Sequence, residues 1–331
     1  MLSVRLFHAV AVAVGIGVAL AAGACSPGST TTGSQPDSTM AAALDLAPEL
    51  ADANALFTDW EALGHKDSGA FAAALIRDDD ALQRDLGIRS IDADWELDLW
   101  QPGTTTTVIL HYADADLAAL PGKLTTLGYR ADGTVYTGTI DRSHLWTIPA
   151  RTIGVDLDRR LLVASPDATT VRSVLAAPPH PLGRLDALKP LLSAVAARPV
   201  VTAAVSVGSA ACAKLDHVVS KGRATPEMMQ AVRGLFSGPF TAPNAQLTAV
   251  TSATTAYAGL TFADERAAAA NREGRAAAVR TVGGLAGDPD GIQVTGSSVS
   301  GPVLGFDLKA QDPQTFRKRV TAGTLGVDVC L

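Results

Sequence analysis

Hairpins and helices follow one another in the same order twice along this chain, and this order constrains the fold more than any other sequence feature. Residues 112–119 end a predicted strand and begin an alanine-rich helix with an aspartate between them, and residues 262–269 repeat the pattern. A second pair of similar segments, 170–172 and 315–317, follows in the same order. Because aspartate is a favourable N-cap at any helix start, convergence of unrelated junctions is the alternative. We favour an internal repeat.

Most of the predicted strands pair as antiparallel hairpins. Apolar and acidic residues alternate over residues 91–100, which is typical of a half-buried strand, and the β-branched segment 104–112 follows a short turn as its partner. The Asp-Gly dipeptide at 132–133 is the strongest short signal for a hairpin turn. We therefore predict an α+β fold with two similar halves, residues 41–180 and 181–331, each a mainly antiparallel sheet with helices packed on one face.

An apolar run near the N-terminus predicts export. Residues 1–8 carry one cation, Arg5, and residues 9–20 carry no charge, so a charged start leads into a short apolar core. Small residues then lead to Cys25, and together these features are typical of a secretory signal peptide over residues 1–24. The alternative is a membrane-spanning helix, but a span needs about 20 apolar residues, and this core is shorter and contains glycines.

Cys25 is the predicted site of a lipid anchor. The small residues 22–24 before it resemble a bacterial lipobox, in which the thiol receives a diacylglyceryl group before cleavage, although Ala22 stands where lipoboxes usually have leucine. The same residues fit an ordinary signal-peptidase site, so secretion without a lipid is the alternative. Residues 25–40 are rich in Ser, Thr, Gly and Pro, a composition that stays flexible. Such a tether suits a domain held at a membrane by acyl chains.

The N-terminal features and the composition resemble actinobacterial envelope lipoproteins of the mycobacterial type. The signal, the cysteine and the tether carry this resemblance over residues 1–39, and abundant alanine with scarce lysine extends it as a matter of composition. The resemblance implies palmitate-type acylation of Cys25 and a location on the extracytoplasmic face of the cell membrane. Many such lipoproteins have no known function, so the resemblance assigns no further residue a role.

Cysteine parity predicts a disulfide bond. The chain has 3 cysteines, and lipidation of Cys25 leaves Cys212 and Cys330 as a pair in an oxidising compartment. A nucleophile–base pair of Cys212 with His217 is the alternative, which a disulfide would remove.

The remaining polar patterns favour structural roles over cofactor or metal binding. The acidic residues of the alternating segment lack the glycine and the terminal acid of a helical calcium loop, so we predict a solvated strand face. These acids are Asp92, Asp94, Glu96 and Asp98. The histidines are scattered, and the sequence contains no phosphate-binding loop or dinucleotide fingerprint, so we predict no metal and no cofactor.

Two further patterns also favour structural interpretations. Residues 296–301 lack the spacing of a nucleophile elbow and are predicted to form a hairpin with a wide polar loop. Tryptophans at strand positions more often belong to the core than to a ligand platform. The chain has four of them, Trp60, Trp95, Trp100 and Trp146.

These features favour a non-enzymatic, membrane-anchored binding module for a protein partner or an envelope component. The balance of 27 basic against 33 acidic residues, without a basic run, argues against nucleic acid as a partner. The alternative is a carrier of an apolar ligand such as a lipid, which needs an apolar cavity of hundreds of cubic ångströms. A hydrolase is the third choice, because it needs polar residues from separate segments to converge with shifted pKa values.

Overall fold

One antiparallel sheet of twelve strands forms the centre of the fold. The computed structural model describes residues 38–66, 79–103, 106–138, 151–215, 225–285, 291–313, 316, 319–320 and 325–331. In chain order the strands are β1 (Asn54–Asp59), β2 (Trp95–Trp100), β3 (Thr107–His111), β4 (Arg130–Asp132), β5 (Val135–Thr137), β6 (Thr152–Asp156), β7 (Leu161–Ser165), β8 (Thr202–Val207), β9 (Ala213–Lys214), β10 (Ala245–Val250), β11 (Thr255–Thr261), β12 (Ile292–Ser300), β13 (Val303–Ala310) and β14 (Val329–Cys330). Strands β9 and β14 form a separate parallel pair. The predicted α+β class with antiparallel pairing is confirmed.

The sheet runs without a break from one half of the chain to the other. Its spatial order is β12-β13-β11-β10-β8-β1-β2-β3-β7-β6-β5-β4, so β1 and β8 are neighbours at its centre. They pair antiparallel from Asn54 opposite Ser206 to Thr58 opposite Thr202. The prediction of a separate sheet in each half is therefore wrong. A physical reason is that each half would otherwise leave the backbone N–H and C=O groups of its first strand unpaired at an edge.

Helices cover both faces of the sheet. The described α-helices are α1 (Thr39–Leu44), α2 (Asp79–Asp85), α3 (Leu120–Thr126), α4 (Ala168–Leu175), α5 (Lys189–Val195), α6 (Pro226–Arg233) and α7 (Glu265–Leu285). The Asp-Pro dipeptide at 312–313 predicts the start of a final helix that extends to about residue 320. Pro313, Phe316, Arg319 and Val320 are helical. Apolar residues at helical spacing predict a helix over residues 68–86, and the part before Asp79 lies outside the described residues. None of the described helices is both long enough and apolar enough to cross a membrane.

The front face of the sheet, which carries Phe57, Leu97 and Val205, packs against helices α1, α4 and α5 in one core cluster. On the opposite face, α2 and α3 pack over β3, β6 and β7 in a second cluster. Helix α7 packs over β12 and β13 on this same opposite face, in a third cluster. The prediction that helices lie on one face is therefore wrong. Period-two alternation shows which strand residues share a face, but it does not show whether both faces are covered.

Helix α4 illustrates how local sequence sets the packing. The sequence predicts a helix that begins at Asp167 and extends to about residue 176. The Asp167 carboxylate accepts hydrogen bonds from the backbone N–H groups of Thr169 and Thr170 at 3.0 and 3.1 Å, which caps this helix. Beneath the helix, Gly154 of β6 leaves no space for a larger residue, since a Cβ there would lie 2.6 Å from Val171 Cγ1. Glycine therefore lets α4 approach the front face closely.

Of two predicted hairpins, one has the predicted turn and the other does not. The turn at residues 132–133 joins β4 and β5 as predicted, with Gly133 at φ +61°. The predicted wide polar loop over residues 296–301 is wrong. Most of these residues continue strand β12, which pairs with β13 as far as Ser300 opposite Val303 and contains a bulge between Val294 and Gly296. Only Gly301 and Pro302 are left for the turn.

Candidate functional site: a cavity at the centre of the sheet

A cavity of about 290 Å³ lies against the centre of the sheet, on the face opposite the front face, which we call the cavity face. Its floor comes from the neighbouring strands β10, β8, β1 and β2. Successive side chains of a strand point to opposite faces, and the strand register therefore sets the floor residues in rows across the sheet. One row is Gln246, Ser206, Asn54 and Trp100, and the next contains Thr248, Ala204 and Leu56.

The roof of the cavity is formed by the C-terminal segment, residues 325–330. Leu325, Val327 and Asp328 of this segment line the cavity together with Ala210 and Ala213, which follow β8. A strand pairing and a disulfide bond hold the segment in place. Strand β14 pairs with β9, and Cys330 forms a disulfide bond with Cys212, with their Cα atoms 5.7 Å apart. The predicted disulfide is therefore confirmed.

A buried arginine of α7 also fixes the roof. Arg275 is 0% exposed, and its Nη1 donates to the carbonyl oxygens of Val327 and Val329 at 2.5 and 3.1 Å. Its Nη2 donates to the Thr241 carbonyl at 2.5 Å, and its Nε donates to Asn271 Oδ1 at 3.1 Å. Burial lowers the pKa of Arg275 to about 10, which leaves the guanidinium charged at neutral pH. The guanidinium thus binds the backbone carbonyl groups of Thr241, Val327 and Val329 together.

Asp328 is the one ionisable side chain among the described residues that line the cavity. It is 5% exposed, and burial raises its pKa to about 6. A hydrogen bond from Gln246 and the charge of Arg275 oppose this rise in pKa. Asp328 Oδ1 and Gln246 Oε1 are buried and accept no hydrogen bond within the described parts of the chain. The carboxyl group of Asp328 is thus buried in the cavity lining with part of its hydrogen-bonding capacity unused among the described residues.

The floor offers neutral hydrogen-bonding groups. Ser206 Oγ donates to Asn54 Oδ1 at 2.7 Å, which leaves the Asn54 amide nitrogen as a donor and the Ser206 oxygen as an acceptor. In the next row, Thr248 contributes a hydroxyl group. The apolar lining comes from Leu56 and Trp100 on the floor and from the valine and leucine side chains of the roof. The cavity therefore has a mixed lining of polar and apolar side chains.

The acidic segment does not form a solvated strand face. Glu96 and Asp98 are 1% and 3% exposed, because their side of β2 belongs to the cavity face and is covered. Glu96 accepts a hydrogen bond from Trp60 Nε1 at 3.1 Å. Asp94 Oδ2 lies 2.7 Å from His111 Nδ1, and both Asp94 and Asp92 precede β2 and stay partly exposed. The prediction of a solvated face is wrong for Glu96 and Asp98.

The other predicted residues separate into three groups. Trp60 and Trp95 are buried in the core as predicted, whereas Trp100 lines the cavity. Cys25, His217 and Trp146 lie outside the described residues. Cys212 is bonded to Cys330, so its sulfur is not available as a thiolate nucleophile.

Sequence reasoning missed Arg275, Gln246 and Asp328. A signal for Arg275 was present, since it shares a stripe at helical spacing with buried residues of α7. These neighbours are Ala268, Asn271, Ala278, Val279 and Val282. A charged residue on such a stripe indicates a buried partner. Gln246 and Asp328 lie within apolar segments, but only the fold brings them together.

The described residues around the cavity do not form a metal site. Within the described ranges, no group of three or more His, Cys, Asp or Glu side chains is placed to hold a metal ion. The cavity thus stands as the candidate site on the strength of its shape and its polar floor. Comparison of the chain with protein-family models, with curated proteins and with solved structures gives no significant match.

Proposed function

We propose that this protein is an envelope lipoprotein, anchored through acylated Cys25, whose folded part binds a small envelope component in the central cavity without chemical conversion. The observation that carries this proposal is the cavity itself, at about 290 Å³. Ligand pockets commonly measure about 300–1,000 Å³ and combine an apolar lining with a few placed polar groups. The cavity lies at the lower end of this range and has this mixed lining.

Its size supports a small compound rather than a lipid. At roughly 30 Å³ for each water-sized group, about ten non-hydrogen atoms fit within it. A lipid with two acyl chains has several times that number of atoms. The polar floor residues Asn54, Ser206 and Thr248 also oppose a purely apolar ligand, since an apolar molecule would leave their polar groups without partners.

The arrangement of the hydroxyl groups favours binding over hydrolysis. A nucleophilic serine needs a neighbouring base that takes its proton. Ser206 Oγ instead donates to the side-chain oxygen of Asn54, which is not a base at neutral pH. Asp328 is the one acid in the described lining, and Ser206 Oγ donates to Asn54 rather than to it.

The order of the strands in the two halves supports an internal duplication. We propose that the two halves share one ancestral unit, because strands β2-β3-β7-β6 follow one another on one side of β1 in the order that β10-β11-β13-β12 follow on one side of β8. The cavity lies where the two series meet. A superposition of residues 54–177 on residues 200–320 tests the duplication, and a different position of equivalent helices would contradict it.

Ligand binding is tested with a variant that fills the cavity. Ala204 lies on the cavity floor and is partly exposed, so Ala204→Phe occupies the space without entering the front core. The mature protein is extracted from envelope membranes with mild detergent and examined by native mass spectrometry. We expect a small bound molecule with the wild type and with the exposed control Ala118→Phe, and none with Ala204→Phe. The measured masses are corrected for the change of side chain in each variant. Equal corrected masses for all three proteins would contradict the proposal.

The anchor is tested separately in an actinobacterial host. We expect the wild-type protein in the membrane fraction with a mass increased by acyl chains, and Cys25→Ala in the medium. Release of both proteins in equal amounts would contradict lipidation of Cys25, while export would stand.

A further inference from the structure

We infer that the cavity takes an uncharged, hydroxyl-bearing ring of about the size of a hexose, as found in sugar residues and cyclic polyols. This inference rests on the proposed function and adds the chemical class of the ligand. Three properties of the cavity carry it. They are the charge of its lining, the type of its hydrogen-bonding groups and the position of Trp100.

The charge of the lining opposes an anionic ligand. Lysine, arginine and histidine are absent from the described lining, and the one ionisable residue there is the acidic Asp328. A phosphate or carboxylate would lose its hydration without gaining an opposite charge. The nearby guanidinium of Arg275 already donates to Asn271, Thr241, Val327 and Val329, so it is not available to a ligand.

The charge also gives little advantage to a cationic ligand. Asp328 is the only described acid in the lining, and its Oδ1 is buried. Burial raises the pKa of Asp328 and outweighs the opposite effect of Arg275, so burial disfavours the charged form of this carboxyl group. An ammonium group in the cavity would therefore meet one carboxyl group with a weakened tendency to ionise. A neutral ligand avoids both costs.

The polar groups of the floor can both donate hydrogen bonds to the hydroxyl groups of a ligand and accept hydrogen bonds from them. Each sugar hydroxyl both donates and accepts, and an amide and two hydroxyl groups can do the same in return. Ser206 and Asn54 face each other on β8 and β1, and Thr248 lies one row away on β10. Neighbouring strands are about 4.8 Å apart, so a single six-membered ring can reach groups on two strands.

Trp100 provides an apolar surface at the side of this polar floor. It ends the row that contains Asn54 and Ser206, and it lines the cavity while staying only partly buried. The C–H face of a sugar ring can pack on an indole while its hydroxyl groups bond to the neighbouring amide and hydroxyl groups. Leu325 and Val327 close the cavity from above with further apolar surface.

The experiment is a titration of the mature protein followed by saturation-transfer NMR of the ligand. The probes are glucose, galactose, N-acetylglucosamine and myo-inositol, with glucose 6-phosphate, glucuronate and glucosamine as charged counterparts and cyclohexanol as an apolar one. We expect at least one neutral probe to bind with a Kd of a few millimolar or below, as is typical of a ligand with about twelve non-hydrogen atoms. Its charged and apolar counterparts should bind at least tenfold more weakly.

Variants assign this binding to the cavity. We expect Thr248→Val to weaken binding about fivefold to tenfold through the loss of one hydrogen bond. Trp100→Leu should weaken it by about the same factor or more, while the exposed control Thr125→Val should bind as the wild type does. Urea unfolding confirms that each variant is folded.

The possible failures can be told apart. If charged probes bind more tightly than neutral ones, or if the envelope extract supplies a bound molecule that is not a neutral ring, the ligand class is wrong and the proposed function stands. If no probe binds and Ala204→Phe changes nothing in the envelope extract, both are wrong. Binding that Thr248→Val and Trp100→Leu leave unchanged would place the ligand elsewhere and also overturn the inference.

Discussion

Arg275 donates a hydrogen bond from its buried guanidinium to the carbonyl oxygen of Val327, at 2.5 Å. This bond joins the longest described helix to the segment that roofs the cavity. The guanidinium also lies 5.5 Å from the ring centroid of Phe262 and 5.6 Å from that of Phe240. One side chain thus connects the helix, two aromatic rings and the roof.

Replacement of Arg275 by methionine should destabilise the protein. The change removes the Arg275 donors from the carbonyl groups of Thr241, Val327 and Val329. It also removes a positive charge that lowers the pKa of Asp328. We expect the free energy of unfolding in urea to fall by about 3 kcal/mol. The exposed residue Arg280 of the same helix offers a matched control, and Arg280→Met should change the value by less than about 0.5 kcal/mol. Similar effects of both substitutions would show that the bonds to the roof contribute little.

The raised pKa of Asp328 predicts a specific dependence of stability on pH. The folded protein holds the proton on this carboxyl more tightly than the unfolded chain does, with a pKa of about 6 against 3.8. The resulting stabilisation is fully present below pH 3.8, is lost as the pH rises towards 6 and is absent above it. A pKa difference of this size corresponds to roughly 3 kcal/mol.

Asp328→Asn isolates this contribution, because other carboxyl groups affect both proteins equally. We expect the unfolding free energy of the wild type, minus that of the variant, to decrease between pH 4 and 6 and to stay constant above pH 7. Chemical denaturation at several pH values measures this difference. A difference that increases with pH would mean that Asp328 is stabilised as a carboxylate.

The disulfide bond should stabilise the fold and the roof together. It joins cysteines 118 residues apart, and in the chain-entropy model a loop of about 100 residues gives up to ~4.7 kcal/mol. We expect the double variant Cys212→Ser, Cys330→Ser to lose about 2–4 kcal/mol of unfolding free energy. Reductant should lower the stability of the wild type and leave the variant unchanged. Two alkylatable thiols at these positions in the unreduced, denatured protein would contradict the bond.

Substitution by alanine should have opposite effects on stability at two glycines, Gly154 in strand β6 and Gly122 in helix α3. Gly154→Ala places a Cβ 2.6 Å from Val171 Cγ1 and 2.8 Å from Leu175 Cδ1, so we expect a loss of about 1–3 kcal/mol from overpacking. Gly122 lies in α3, where an added Cβ would meet no atom within 4 Å, and alanine is the better helix former. Gly122→Ala should raise the stability by about 0.5–1 kcal/mol. Thermal or urea unfolding compares the two, and a stabilising Gly154→Ala would mean that α4 can shift.

Local features of this fold were predictable from the sequence. The turn at residues 132–133 and the helix start at Asp167 depend on residues within a few positions of one another, and the structure has both. The disulfide was predictable because the assignment of Cys25 to the anchor leaves two cysteines, which can form one bond. The pairing of β1 with β8 was not predictable in this way, because Asn54 and Ser206 are 152 residues apart and no local pattern links them.

The site was less predictable than the fold. Alternation correctly separated Leu97 and Leu99 from Glu96 and Asp98, but it did not show that both sets would be buried. Coverage of a sheet face depends on where distant segments pack. Alternation places Trp100 on the same face as Glu96 and Asp98, opposite to Trp95, but it did not show that this face would line a cavity.

The central pairing of β1 with β8 has a consequence for the order in which the protein can assemble. Strand β1 can pair with β2 early, but its other edge has no partner until residues 202–207 are in place. Contacts between distant segments form slowly, and an open strand edge can accept a strand from another molecule. During that interval β8 of a second chain competes with the chain's own β8. At high concentration, refolding should therefore produce dimers with exchanged halves, whose sheets are the same as those of the monomer.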